Sequence, residues 1–132
     1  MKSFTDLEQS KKLAEILPIE SADMAHYPFG ILRNNESVVS PLQKSKIEDL
    51  QEIYGIQVIP CWSLTALVNV LPVSCDGGEH CLALINPNPN DKTEWLCAYE
   101  NDNGNLIMEC YDGNPIDACY EMILKLHELK ML

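Results

Sequence analysis

Near its C-terminal end the chain repeats apolar residues at three- and four-residue spacing: Ile116, Cys119, Met122, Ile123, Leu126 and Leu129. A single stripe of this kind marks a helix docked along one face. Asn114 offers a side-chain oxygen as cap, and Pro115 fits the first position, where no amide donor is needed. Asp117 puts an anion in the first turn, where the helix dipole favours it. The pattern predicts a helix over Asn114–Leu132. Tyr120, Leu124 and Met131 form a second apolar row beside the stripe, a face that either sits deep in the domain or meets a partner.

Three further helices are predicted. The first begins at Thr5, with Glu8 completing a capping box, and ends at Pro18. Leu7, Leu13, Ala14 and Leu17 are its inner side, interrupted by Ser10, Lys11 and Lys12. Ser21–Met24 adds one turn. His26–Val39 reads as loop, with a short strand near Val38. Ser40 caps a second helix that Pro41 opens and Gly55 stops. The third, from Trp62 to Leu71, is apolar almost all round and is expected to be central.

Strands are expected at Cys81–Ile85, Trp95–Glu100 and Leu106–Tyr111, the last two joined at Asn103-Gly104, a strong hairpin signal. A two-residue turn there sets Cys97 opposite Cys110, Tyr99 opposite Met108 and Trp95 opposite Asp112. A wider loop over Asn101–Asn105 keeps the hairpin but shifts this register. The expected fold is α+β: about four helices on a small antiparallel sheet containing the Trp95–Tyr111 hairpin, with Trp62, Leu67 and Ile123 in the core.

A chain of 132 residues, 46% apolar, suits one domain spanning 1–132. No apolar run has the length of a signal peptide or a membrane span, so a cytoplasmic protein without membrane association is expected. The net charge of −11 repels phosphate backbones and disfavours direct nucleic-acid binding. Six cysteines in such a compartment are read as free thiols, with Cys61, Cys97, Cys110 and Cys119 as small hydrophobes.

Three segments carry a resemblance. They are Glu8–Leu13 with Pro18–Met24, Ile59–Leu64 with Leu71-Pro72, and Asn114–Cys119 with Glu121–Ile123. Their order and spacing resemble a family of small uncharacterised proteins from Bacteroides-type gut bacteria, their phages and mobile elements. The resemblance covers about half of the chain and implies no activity and no catalytic residues. The stretches Pro28–Ser40 and Ser74–Asp91 fall outside it.

Chemistry-bearing residues concentrate in one glycine-containing loop, which holds Cys75, Glu79, His80 and Cys81. Thiolate and imidazole are zinc ligands, which makes Cys75, His80 and Cys81 the candidate metal set. The Cys-x5-Cys spacing forms no knuckle, so a loop with incidental ligands and no metal or other cofactor is expected. Cys75 with His80 is also the one loop pairing from which a small Cys/His enzyme could be built. The charge supports another alternative, an acidic DNA mimic that inhibits a DNA-acting protein. With no assembled catalytic constellation, the expected function is a non-enzymatic accessory or protein–protein interaction protein. It would use Tyr120, Leu124 and Met131 to meet a protein partner or a second copy.

Overall fold

Three helices and six strands, an α+β fold, follow one another among the residues that the computed structural model describes: 2–28, 37–41, 52, 55, 57–88, 90 and 94–132. In chain order they are α1 (Leu7–Ile16), β1 (Met24–Pro28), β2 (Ser37–Pro41), β3 (Ile59–Cys61), α2 (Leu64–Val70), β4 (Cys81–Ile85), β5 (Trp95–Glu100), β6 (Leu106–Asp112) and α3 (Pro115–Glu128), with a 3₁₀ turn at Ile19–Ser21 after α1. The strands form two three-stranded antiparallel sheets, β2-β1-β3 and β4-β5-β6, where one sheet was expected. The chain divides into two compact units, Phe4–Ala66 and Met1–Ser3 with Leu67–Leu132, and the division falls within α2.

In the first unit α1 starts one residue later than its pattern suggests. Asp6 is the N-cap: its Oδ1 accepts from the Gln9 amide at 2.9 Å, and the Gln9 side chain accepts from the Asp6 amide at 3.1 Å. The Thr5 hydroxyl is occupied elsewhere. It accepts from the Trp62 amide at 3.1 Å and lies 2.8 Å from Ser10 Oγ. Ser10 is therefore not an interruption of the buried face. It lies on that face with Leu13 and Leu17, while Leu7 and Ala14 are exposed.

The segment read as loop after Met24 is instead the central strand β1, with His26 opposite Val39 on one side and Ile59 on the other. The strand near Val38 is present as β2. It takes in Ser40 and Pro41, which end a strand rather than begin a helix. A terminal proline suits an edge strand, where a missing amide donor leaves no ladder bond unmade. The rest of that predicted helix lies almost wholly outside the described residues.

In the second unit β5 is the middle strand, and Leu96, Cys97, Ala98 and Tyr99 are buried on both of its faces. α3 packs on β5 and β6 through Ile116, Cys119, Met122, Ile123 and Leu126, all fully buried. Such burial contributes about 1.5–3 kcal/mol for each large aliphatic side chain. Asn114 caps α3, accepting from the Asp117 amide at 2.9 Å, with Pro115 at the first position. The helix stops at Glu128. Lys130 turns left-handed at φ +57, its amide donates to His127 O at 3.0 Å, and the Met131 amide donates back to Leu126 O at 2.9 Å. These two bonds are those of a Schellman stop, here made without glycine. Leu129 is consequently 53% exposed, and Met131 lies past the helix, not on a second row of it. Trp62, Leu67 and Ile123 are fully buried, as expected.

The β5–β6 hairpin is closed by a wider loop than a two-residue turn. The Asn101 amide donates to Asn105 O, the Gly104 amide donates to Asn101 O, each at 3.0 Å, and Gly104 takes φ +79. This sets Glu100 opposite Leu106 and Tyr99 opposite Ile107, not Met108. A bulge follows, in which Met108 adopts φ +57 and the strand gains one residue. Below the bulge Cys97 faces Cys110, Leu96 faces Tyr111 and Trp95 faces Asp112, as predicted.

Candidate functional site

The loop between α2 and β4 is drawn into a tight clamp by its own side chains. Its neck is closed by the Leu82 amide donating to Val73 O at 2.8 Å and by a bridge between Ser74 and Cys81. Gly77 and Gly78 turn the chain at φ +80 and +106, a region that residues with a Cβ rarely enter. Ser74 Oγ accepts from the Gly78 amide at 2.7 Å and donates to Asp76 Oδ1 at 3.1 Å. Asp76 then grips His80 twice. Oδ1 accepts from the His80 amide at 2.8 Å, and Oδ2 accepts from Nδ1 at 2.5 Å. An Nδ1–H donating to a carboxylate leaves Nε2 as the acceptor nitrogen of the neutral ring.

The electrostatics follow from these bonds. The His80 amide and then the His80 and Ser74 side chains hold the Asp76 carboxyl below the usual carboxylate range, against a smaller opposing effect of desolvation. Burial pushes the Cys75 thiol up, and the neighbouring Asp76 charge adds to that. Cys81 is exposed, with Sγ 3.9 Å from Gly78 O.

The residues brought together differ from the set read from sequence. Asp76, Glu79 and His80 place one ligand atom each within 4.8 Å of the others, the one such group among the described residues. Cys75 and Cys81 lie outside it, so the thiols of the candidate Cys75–His80–Cys81 set do not join the imidazole in such a group. Two carboxylates and an imidazole are a harder donor set than the Cys/His set read from the sequence. Asp76 stands outside the Cys/His pattern that marks this loop in the sequence. Its signal was the i, i+4 spacing to His80 across two glycines.

A reactive cysteine needs a lowered pKa, and Cys75 is shifted the other way. Cys61, in the first unit, is pushed up to about 12 by burial and by the Asp23 charge.

A second constellation lies within the sheet-and-helix core of the second unit. Cys97 of β5 faces Cys110 of β6, and α3, which carries Cys119, packs on β5. The neighbouring Cys119 and burial hold the Cys97 thiol up, while Cys97 favours the thiolate of Cys119 against the effect of burial. Cys97 and Cys119 are fully buried and Cys110 is half-buried; all six cysteines are free thiols. The candidate contact residues Tyr120 and Leu124 are half-buried on α3. No helix among the described residues is long and apolar enough to cross a membrane. No protein-family model, curated protein or solved structure matches the chain.

Proposed function

We propose that the protein is a non-enzymatic interaction module, a cytoplasmic accessory protein of the phage or mobile-element type that its resemblance implies. It binds a protein partner or a second copy through the apolar end of its last helix, and neither nucleic acid nor a membrane. One observation carries this reading: Leu129, Met131 and Leu132 are 53%, 39% and 38% exposed, within four consecutive residues where α3 ends. Isolated apolar side chains on a surface are ordinary, but a run of them at a helix end favours an interface. The half-buried Tyr120 and Leu124 lie earlier on the same helix. The raised Cys75 thiol supports the same reading by weakening the Cys75/His80 enzyme alternative.

The test is affinity capture combined with light scattering, comparing the wild type with a Leu129→Asp/Met131→Asp variant that keeps its near-UV spectrum. A complex or self-association that survives high salt and disappears in the variant is expected, because apolar contacts are not screened. A DNA-acting partner retained by the variant and released by salt would favour the DNA-mimic alternative. Turnover abolished by Cys75→Ser would overturn both.

A further inference from the structure

Of the chain's asparagines, Asn103 alone is followed by glycine. We propose that the Asn103-Gly104 peptide is a site of self-modification, where the carboxamide is lost as ammonia and the turn between β5 and β6 acquires an isoaspartyl linkage. The turn uses one asparagine side chain and leaves the other free. Asn101 Oδ1 accepts from the amides of Asn103 at 3.0 Å and Asn105 at 2.9 Å. Asn103 is exposed, and among the described residues no hydrogen bond holds its carboxamide. Asn86, Asn88 and Asn114 each precede a proline, which has no amide N–H to give up. Gly104 has no Cβ to shield its nitrogen. The bond that restrains this nitrogen runs from its N–H to Asn101 O at 3.0 Å. It closes an exposed turn, whose local opening takes far less free energy than unfolding.

The co-reactant is water. With the turn open, the Gly104 nitrogen gives up its proton and attacks Asn103 Cγ. The N–Cγ bond forms, the Cγ–Nδ2 bond breaks, and Nδ2 leaves with that proton as ammonia. The product is a five-membered imide. Water then adds to one of its two carbonyl carbons, the C–N bond there breaks, and the second proton of the water returns to the nitrogen. Opening at Cγ gives aspartate. Opening at the main-chain carbonyl gives isoaspartate, in which the chain runs through the former side chain and is longer by one methylene. Either product adds a negative charge to an already acidic chain. The longer path falls in the loop that sets Glu100 opposite Leu106 and Tyr99 opposite Ile107. The Met108 bulge separates that pairing from Cys97 and Cys110, which stay in register.

The experiment incubates the folded protein at neutral pH and body temperature, samples it over weeks, and maps its peptides by mass and by chromatographic retention. The expected result is a growing amide-to-acid mass change at Asn103, resolved into aspartyl and isoaspartyl peptides. It should be slower than in the same protein unfolded in urea, where no bond restrains the Gly104 nitrogen. Asn103→Gln should abolish the change at this position, because attack would then have to close a six-membered ring. Hydrogen exchange on the isoaspartyl fraction should show lost protection at the Asn101 and Gly104 amides, which close the loop, and kept protection at Cys97. An Asn103 that stays intact in the folded protein while it converts in urea would overturn the proposal. So would a change at Asn101 in its place, an aspartyl product with no isoaspartyl partner, or full protection of the Asn101 and Gly104 amides in the isoaspartyl fraction.

Discussion

Around Thr5 the first unit buries a knot of polar groups, whereas around Met122 the second buries aliphatic side chains and thiols. Thr5, Ser10 and His26 are the buried polar side chains among the described residues, and all three belong to the first unit. They close on one another. The Thr5 hydroxyl accepts from the Trp62 amide and is free to donate to Ser10. Ser10 Oγ at 3.3 Å and His26 Nε2 at 2.9 Å both donate to the Thr5 carbonyl. Further out, the Trp62 indole donates to Ser21 Oγ at 2.9 Å, and Asp23 accepts from the Ser63 amide at 2.9 Å and from its hydroxyl. The second unit keeps its hydrogen-bonded loop at the surface and fills its interior by shape. A satisfied polar knot fixes one arrangement because every alternative strands a donor or acceptor. An apolar core tolerates exchange of similar volumes but not loss of volume.

The largest effect should come from removing volume in the second unit. Ile123→Ala should destabilise by about 2–5 kcal/mol in urea unfolding, the range for a fully buried aliphatic residue that leaves a cavity. Ile123→Leu, which conserves volume, should cost less than about 1.5 kcal/mol. Equal losses in the two variants would mean that this core is not held by packing.

Thr5→Val tests the other unit. It keeps the shape but leaves the Trp62 amide without its acceptor and Ser10 Oγ without its neighbour, so a loss of about 2–3 kcal/mol is expected. A change below about 0.5 kcal/mol, the size of an ordinary surface substitution, would sink the claim that the knot stabilises the first unit.

The same contrast decides what could be read from the sequence. The second unit was legible because apolar periodicity is the signal and burial is the cause. The α3 stripe, its Asn114 cap and all three expected strands follow from it. The Schellman stop at Lys130 was not legible, since no glycine marks it and Leu129 continues the stripe past the point where the helix ends. The hairpin register held at Cys97 and Cys110 through two compensating departures. The wider Asn101–Asn105 loop shifts the pairing by one residue, and the Met108 bulge shifts it back. Neither is marked by hydrophobicity.

The first unit hid its organisation because its buried face is partly polar. By its polarity Ser10 reads as a break in a stripe it belongs to, and Thr5 reads as a cap although its hydroxyl serves Trp62. His26 and its neighbours alternate too weakly to announce a central strand. The candidate loop was legible as a place but not as a ligand set. Its residues are brought together by hydrogen bonds that the Asp76 carboxylate accepts, and no motif distinguishes Asp76 from any other loop carboxylate.

Helix caps should separate the units least in magnitude. Asn114→Ala and Asp6→Ala each remove one side-chain acceptor from a helix N-terminus and should each cost about 1 kcal/mol, seen as equal shifts of the urea midpoint. A much larger loss for Asp6→Ala would sharpen the comparison, showing that α1 depends on its polar contacts while α3 is held by its apolar face.

The smallest effect belongs to the surface clamp, and it is a matter of pH. The folded-state pKa of Asp76 is depressed by the His80 and Ser74 donors. Its contribution to loop order is therefore present above the ordinary carboxylate range and is lost as pH falls through the depressed value. Between these limits the unfolded loop would bind a proton that the folded loop does not, so acid favours opening. The His80 amide resonance, whose acceptor is the Asp76 carboxylate, should report this titration with a midpoint below the usual carboxylate range. Removing one donor in Ser74→Ala should move the midpoint up without reaching that range, because the two bonds from His80 remain. An Asp76 midpoint at or above the ordinary value in the wild-type protein would mean that the clamp is not formed in solution. The second unit would then hold no ordered polar site in this loop to set against the knot around Thr5.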